Sequence, residues 1–222
     1  MNSEKHNVRT KRVRDMNRVL KRLFPSAKIE LNYGNNWELL VAVQLSAQCT
    51  DARVNMVTET LFKKYRSVRA YAEVPQQELE RAIFSCGFYR NKAKNIRAAA
   101  RMVLDRYEGK VPDRMEDLLL LPGVARKTAN VVLSNAFNIH EGIAVDTHVR
   151  RFVIRFDLSD FTDPVRIERD LITLMPRRDW WGFNHRLVLY GRHFCPARKH
   201  VCITHPLTAL YPQAVKKWPR AA

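Results

Sequence analysis
The chain has 222 residues, with 39 Lys and Arg against 22 Asp and Glu, a formal net charge of +17 that favours a polyanionic partner, nucleic acid or an anionic membrane surface. No apolar run approaches the length of a membrane span, and the basic N-terminus lacks the apolar core and cleavage site of a signal peptide. Four cysteines, Cys49, Cys86, Cys195 and Cys202, make no disulfide framework at this length, so the expectation is a soluble, cytoplasmic protein with one core or two small lobes.

Val8 to Phe24 reads as an amphipathic helix, its stripe made by Val8, Val13, Met16, Val19, Leu20 and Leu23. Its lysines and arginines are expected on a solvated face. Pro25 and Asn32-Tyr33-Gly34-Asn35-Asn36 mark a loop. Trp37 to Ser46 is strongly apolar, as a helix central to a core would be. Asp51 is placed to cap the next helix, which buries Val54, Val57, Leu61 and Phe62. Pro75 opens a helix carrying Leu79, Ile83 and Phe84. Cys86-Gly87-Phe88-Tyr89 then makes a turn. Ala93, Ile96, Ala99, Ala100, Val103 and Leu104 form the stripe of a long helix that ends near Gly109. Pro112 and Asp113 start a helix that runs into Leu121-Pro122-Gly123-Val124, a tight turn. A further helix follows, with Ala129, Val132, Leu133 and Ala136 at helical spacing. Asp146 begins the next, Pro164 another, and Trp180 to Gly191 is the last substantial one. No alternating strand pattern occurs, so the fold class is all-α.

The Pro122-Gly123 turn puts a helix start, with its unpaired N–H groups and positive dipole end, beside two bases, Arg126 and Lys127. Cations are disfavoured there, so their presence points to an anion opposite them. Leu121-Pro122-Gly123-Val124, Arg126-Lys127-Thr128-Ala129-Asn130 and the later Val145-Asp146-Thr147-His148-Val149 together resemble the endonuclease III family of helix–hairpin–helix DNA glycosylases. Ala125 stands where that family usually has a second glycine, and alanine resists a positive backbone angle. The resemblance runs from the first helix to about Pro212. It implies two helical lobes flanking a DNA-binding cleft. Residues 30–140 would form a six-helix lobe with the hairpin, and residues 1–29 plus 141–222 the second lobe.

The resemblance implies a bifunctional glycosylase and abasic-site lyase of base excision repair, acting as a monomer on oxidised pyrimidines or abasic sites in double-stranded DNA. Lys127 would be the nucleophile. It attacks only as the free amine. Asp146, a good N-cap in its own right, would stabilise the charge that develops on the sugar, across the cleft from Lys127. Gln48 would fill the space left by the flipped nucleotide, and Phe88 would wedge between base steps. Gly123, Ala125 and Arg126 would contact the backbone. The alternatives are a non-catalytic helix–hairpin–helix DNA-binding module and a glycosylase of different base specificity.

The resembled enzymes carry a 4Fe–4S cluster on cysteines spaced C-x6-C-x2-C-x5-C near the C-terminus. This chain keeps Cys195 and Cys202 but has His205 and Tyr211 at the other two positions. Two thiolates are too few for a cubane, so no metal and no cofactor are expected, the loop being packed by Leu207, Leu210, Tyr211 and Trp218. A zinc site from Cys195, Cys202, His205 and either His193 or His200 is one alternative, and an iron–sulfur cluster the other.

Overall fold
The computed structural model describes residues 3–216, and its regular structure is entirely helical. Two compact units result, one continuous over residues 30–141 and one joining residues 1–29 to 142–222. No helix among the described residues is long and apolar enough to cross a membrane.

Helix α1 (Ser3–Leu23) opens the discontinuous unit. It buries Val13, Met16, Val19 and Leu20, but Val8 is 50% exposed and Arg9 is fully buried in its stead. The basic face is therefore not uniformly solvated. The Arg9 guanidinium donates to Asp157 Oδ1 at 3.1 Å, to the Asp157 carbonyl at 3.1 Å and to Asp160 Oδ1 at 2.8 Å. Those partners repay its desolvation, and they come from the other end of the chain.

The continuous unit holds seven helices where the resemblance implies six. Helix α2 (Asn36–Leu45) is buried along nearly its whole length. Its start is closed from both sides: Asn35 accepts from the Glu38 N–H at 3.0 Å, and Glu38 accepts from the Gly34 N–H at 2.6 Å. Helix α3 (Asp51–Lys64) is capped by Thr50, not by Asp51. Thr50 has the extended backbone that aims its hydroxyl at the Arg53 N–H, and Asp51 falls in the first turn, where its charge suits the dipole. Helices α4 (Val68–Glu73) and α5 (Gln76–Ala82) are separated around Pro75, which sits just before α5. Phe84, expected on an apolar face, lies beyond α5 and is exposed. Helix α6 (Tyr89–Tyr107) buries Ala93, Ile96, Ala99, Ala100 and Val103 and packs against α4. Helices α7 (Met115–Leu120) and α8 (Arg126–Ala136) form the hairpin, with α8 against α2.

The chain returns to the first unit with α9 (Thr147–Arg155), α10 (Pro164–Leu174), α11 (Trp180–His193) and α12 (Pro206–Leu210). Met16 and Leu20 of α1 join Phe152, Phe156, Phe183, Leu187 and Tyr190 in one core. In the tail Leu207 is buried and Leu210 is exposed, so only the first helps pack the loop; Trp218 lies outside the described residues.

Candidate functional site
The α7–α8 hairpin turns at Gly123, whose φ is +77°. An added Cβ there would also lie 2.8 Å from the Asn95 Cβ, so space and backbone both require glycine. Ala125 has φ −93° and ψ 169°, so no positive angle is needed where the family's second glycine stands. Ala125 is the cap residue of α8 and makes no side-chain cap hydrogen bond, so the positive end of the α8 dipole is not met by an acceptor from the cap residue. Gly123, Ala125, Arg126 and Lys127 are all exposed. Buried Gln44 braces the turn from α2, donating to the Pro122 carbonyl at 3.2 Å.

Gln48 and Phe88 occupy two other exposed turns of the same unit, Phe88 being 64% exposed. Both have left-handed backbone, with φ of 53° and 46°. A residue that sequence reasoning overlooks connects these turns. Lys92, buried on α6, donates from Nζ to the Leu45 carbonyl and to the Cys86 carbonyl, both at 2.8 Å. Leu45 ends α2 ahead of Gln48, and Cys86 precedes Gly87 and Phe88. Burial lowers the Lys92 pKa, and the two carbonyls are what its charge rests on. The available signal is a lysine four residues before Ile96 on the apolar stripe of α6. Burial also pushes the neighbouring Cys86 thiol up to about 11.

In the other unit, Asp146 is half-buried and caps α9, its Oδ1 accepting from the Val149 N–H at 2.8 Å. The extended segment before it, Ile143-Ala144-Val145, is buried and anchored by Asn184, which donates to the Ala144 carbonyl at 2.5 Å. His148 packs on α11 where Gly191 leaves room; a Cβ at Gly191 would come within 2.3 Å of the His148 Nδ1.

Helix α9 also reaches the cysteine loop. Arg151 donates to the Cys195 carbonyl at 2.6 Å. Arg155, fully buried, donates to the Cys195 sulfur at 2.8 Å, to the Cys202 sulfur at 3.2 Å and to the Ala214 carbonyl at 3.1 Å. Cys195, His200 and His205 bring their ligand atoms within 4.8 Å of one another. Tyr211 does not join them. Its ring lies under the Arg12 guanidinium, 4.0 Å to the centroid, and its hydroxyl donates to Gln213 at 3.0 Å. His193, on α11, packs its ring 6.4 Å from that of Phe24 instead. The donors here do not fit a 4Fe–4S cluster, which takes four thiolates where this loop supplies Cys195 and Cys202.

A family model described as HhH-GPD superfamily base excision DNA repair protein matches residues 41–177. The endonuclease III of Synechocystis is 52% identical over 196 residues, covering 88% of this chain and 90% of its own length. Two solved structures, a non-covalent endonuclease III–DNA complex and a trapped endonuclease III–DNA covalent intermediate, each match with a TM-score of 0.88 at 44% identity, over 93% of this chain and 97% of theirs.

Proposed function
The chain belongs to the endonuclease III family, within the HhH-GPD superfamily of base excision DNA repair proteins, and on that premise we propose that it is a bifunctional DNA glycosylase and abasic-site lyase acting on oxidised pyrimidines in duplex DNA. The observation that carries this reading is Lys127, an exposed amine in the first turn of a helix whose cap residue, Ala125, makes no side-chain hydrogen bond. A net charge of +17 suits the DNA backbone. On the same reading it acts as a monomer, cytoplasmic and DNA-associated.

The positive N-terminal end of α8 takes a backbone phosphate, with Arg126 adding charge and Gly123 and Ala125 too small to obstruct it. The damaged nucleotide leaves the stack. Gln48 enters the gap and pairs with the orphan base, as an amide that both donates and accepts. Phe88 holds the neighbouring step apart. The Lys127 amine attacks C1′ as the bond from C1′ to the base breaks and the base departs with the bonding electrons. Asp146 caps α9 with one carboxylate oxygen and offers the other to the positive charge developing on the sugar. Loss of the amine proton and ring opening give an iminium at C1′. That iminium acidifies the 2′ proton; its removal breaks the C3′–O bond and expels the 3′ phosphate. Water then hydrolyses the imine and returns Lys127.

Borohydride reduces such an iminium to a stable amine. On duplex DNA containing thymine glycol or an abasic site, the wild type should form a covalent adduct. Lys127→Ala should form none while binding DNA about as well. An adduct that survives the substitution moves the nucleophile elsewhere. Tight binding with neither nicking nor adduct by the wild type leaves a DNA-binding module without chemistry.

A further inference from the structure
Three side chains of the C-terminal loop have no part in the DNA chemistry above, and they converge. The ligand atoms of Cys195, His200 and His205 all lie within 4.8 Å of one another. Cys195 is buried. The two imidazoles stack with centroids 5.1 Å apart. His200 Nδ1 lies 2.8 Å from the Arg198 carbonyl, which makes it the N–H and leaves the lone pair on Nε2, a buried atom. A histidine that binds metal is commonly held in this way, its second nitrogen donating to a carbonyl. His205 Nδ1 is buried with no hydrogen-bond partner among the described residues. An unmet buried nitrogen lowers stability unless its lone pair has a use.

We propose that Cys195, His200 and His205 hold a single zinc-class divalent ion where the family's iron–sulfur cluster would otherwise sit, with Cys202, whose sulfur shares the Arg155 guanidinium with that of Cys195, completing the four ligands. This replaces the sequence expectation of a loop held by packing alone. The donor chemistry selects the ion. Thiolate with imidazole suits tetrahedral zinc, whereas magnesium and calcium need oxygen ligands, and no carboxylate belongs to the group. His200-x4-His205 is a spacing zinc sites use. Arg155 does not repel such an ion once the thiols ionise. Two thiolates balance a divalent charge, and the guanidinium N–H groups on the Cys195 and Cys202 sulfurs become outer hydrogen bonds to metal-bound sulfur. The ion would fasten the loop to α9 through Arg151 and Arg155, a structural duty separate from the reaction.

Metal analysis of the protein purified without chelators tests this directly. The expected content is one zinc per chain. Cobalt exchanged into the site should give a thiolate-to-cobalt charge-transfer band with the visible bands of a tetrahedral ion. Zinc at a hundredfold excess over its Kd should raise the Tm of stripped protein by about 5–10 °C. His205→Ala should weaken zinc binding by about a hundredfold or more. Should that variant not fold, His200→Ala, on a partly exposed residue, makes the same prediction. About four irons per chain with visible absorption would overturn the proposal in favour of a cluster. So would protein that binds no metal and gains no stability from zinc, or zinc binding indifferent to both histidines.

Discussion
Replacing Lys92 by methionine tests whether the Gln48 and Phe88 turns act as one device. Methionine keeps the apolar stem but donates nothing to the Leu45 and Cys86 carbonyls, each now 2.8 Å from the ammonium. Each buried carbonyl left without its donor costs about 1–3 kcal/mol. Removing an ammonium whose charge burial already disfavours returns part of that. The net loss is about 2–3 kcal/mol, a Tm decrease of about 4–12 °C for a chain of this size. The functional effect should be selective. Duplex substrates need the gap filled and the neighbouring step wedged, whereas an abasic site in single-stranded DNA needs neither. Single-turnover nicking, measured well below the variant's Tm, should fall about tenfold or more on duplex thymine glycol. On single-stranded abasic DNA it should stay within about twofold. Equal loss on both substrates would make Lys92 a purely structural residue. Unchanged duplex activity would show that the two turns do not depend on each other.

Gly123→Ala should cost about 1 kcal/mol for the positive φ and about 1–3 kcal/mol for crowding Asn95, read as a lower urea midpoint, with about tenfold weaker binding to undamaged duplex by fluorescence anisotropy. Asp146→Asn keeps a good cap, so DNA affinity should hold while base release slows about a hundredfold in a glycosylase assay; a collapse of affinity would make the carboxylate chiefly structural. Gln48→Gly removes left-handed strain while loosening the unfolded chain, so the Tm should stay within about 2 °C while duplex nicking falls about tenfold. Acid should weaken the unit built on α1. Hydrogen bonds from Arg9, then Lys5, hold Asp160 at about 2 in the folded chain. Asp157 is also lowered; burial opposes the shift, and Arg9 and Arg12 outweigh it. Folded values below the unfolded one, about 3.9, mean that this stability is complete above that pH and is lost as pH falls toward about 2. The urea midpoint should drop across that window, and less steeply in Arg9→Met.

Legibility followed the range of the interactions. Helices α1, α2, α3, α6 and α8 show in the sequence because burial selects one face, or all faces, over several turns. The hairpin shows because Pro122-Gly123 is a local signal, and Asp146 shows because capping spans three residues. Helices α4 and α12 hold six and five residues, too few for a period to register. Arg9 and Lys92 are both cations on faces that periodicity leaves to lysine and arginine or to apolar groups. What buries them are acceptors 148 and 47 residues away, at Asp157 and Leu45. The choice of His200 over His193 beside Cys195 is of the same kind, because only the folded loop decides which imidazole returns to the thiol.

Backbone strain gives independent support to two of the nominated residues. Five non-glycine residues among those described have positive φ: Gln48, Phe88, Glu108, Asn138 and Asp157. The last three leave the C-terminal ends of α6, α8 and α9. There the following N–H folds back onto a helix carbonyl, from Gly109 to Val103, Ile139 to Leu133 and Leu158 to Val153. That is a common helix exit, and the folded-back hydrogen bond offsets the left-handed turn. Gln48 and Phe88 have no such return onto a carbonyl within a helix. Phe88 stands at the N-terminal cap of α6, where Ser, Thr, Asp or Asn would supply an acceptor, and it makes no side-chain cap bond. Gln48 lies inside the turn closed by the Cys49 N–H on the Ser46 carbonyl at 3.1 Å. Glycine would relieve about 1 kcal/mol or more of strain at either position, yet both carry large side chains held out in solvent. Strain kept where a smaller residue would remove it, with the side chain left uncovered, is what a group reserved for a bound partner requires. That is why the glycine variant separates the two demands, holding the fold while losing the activity.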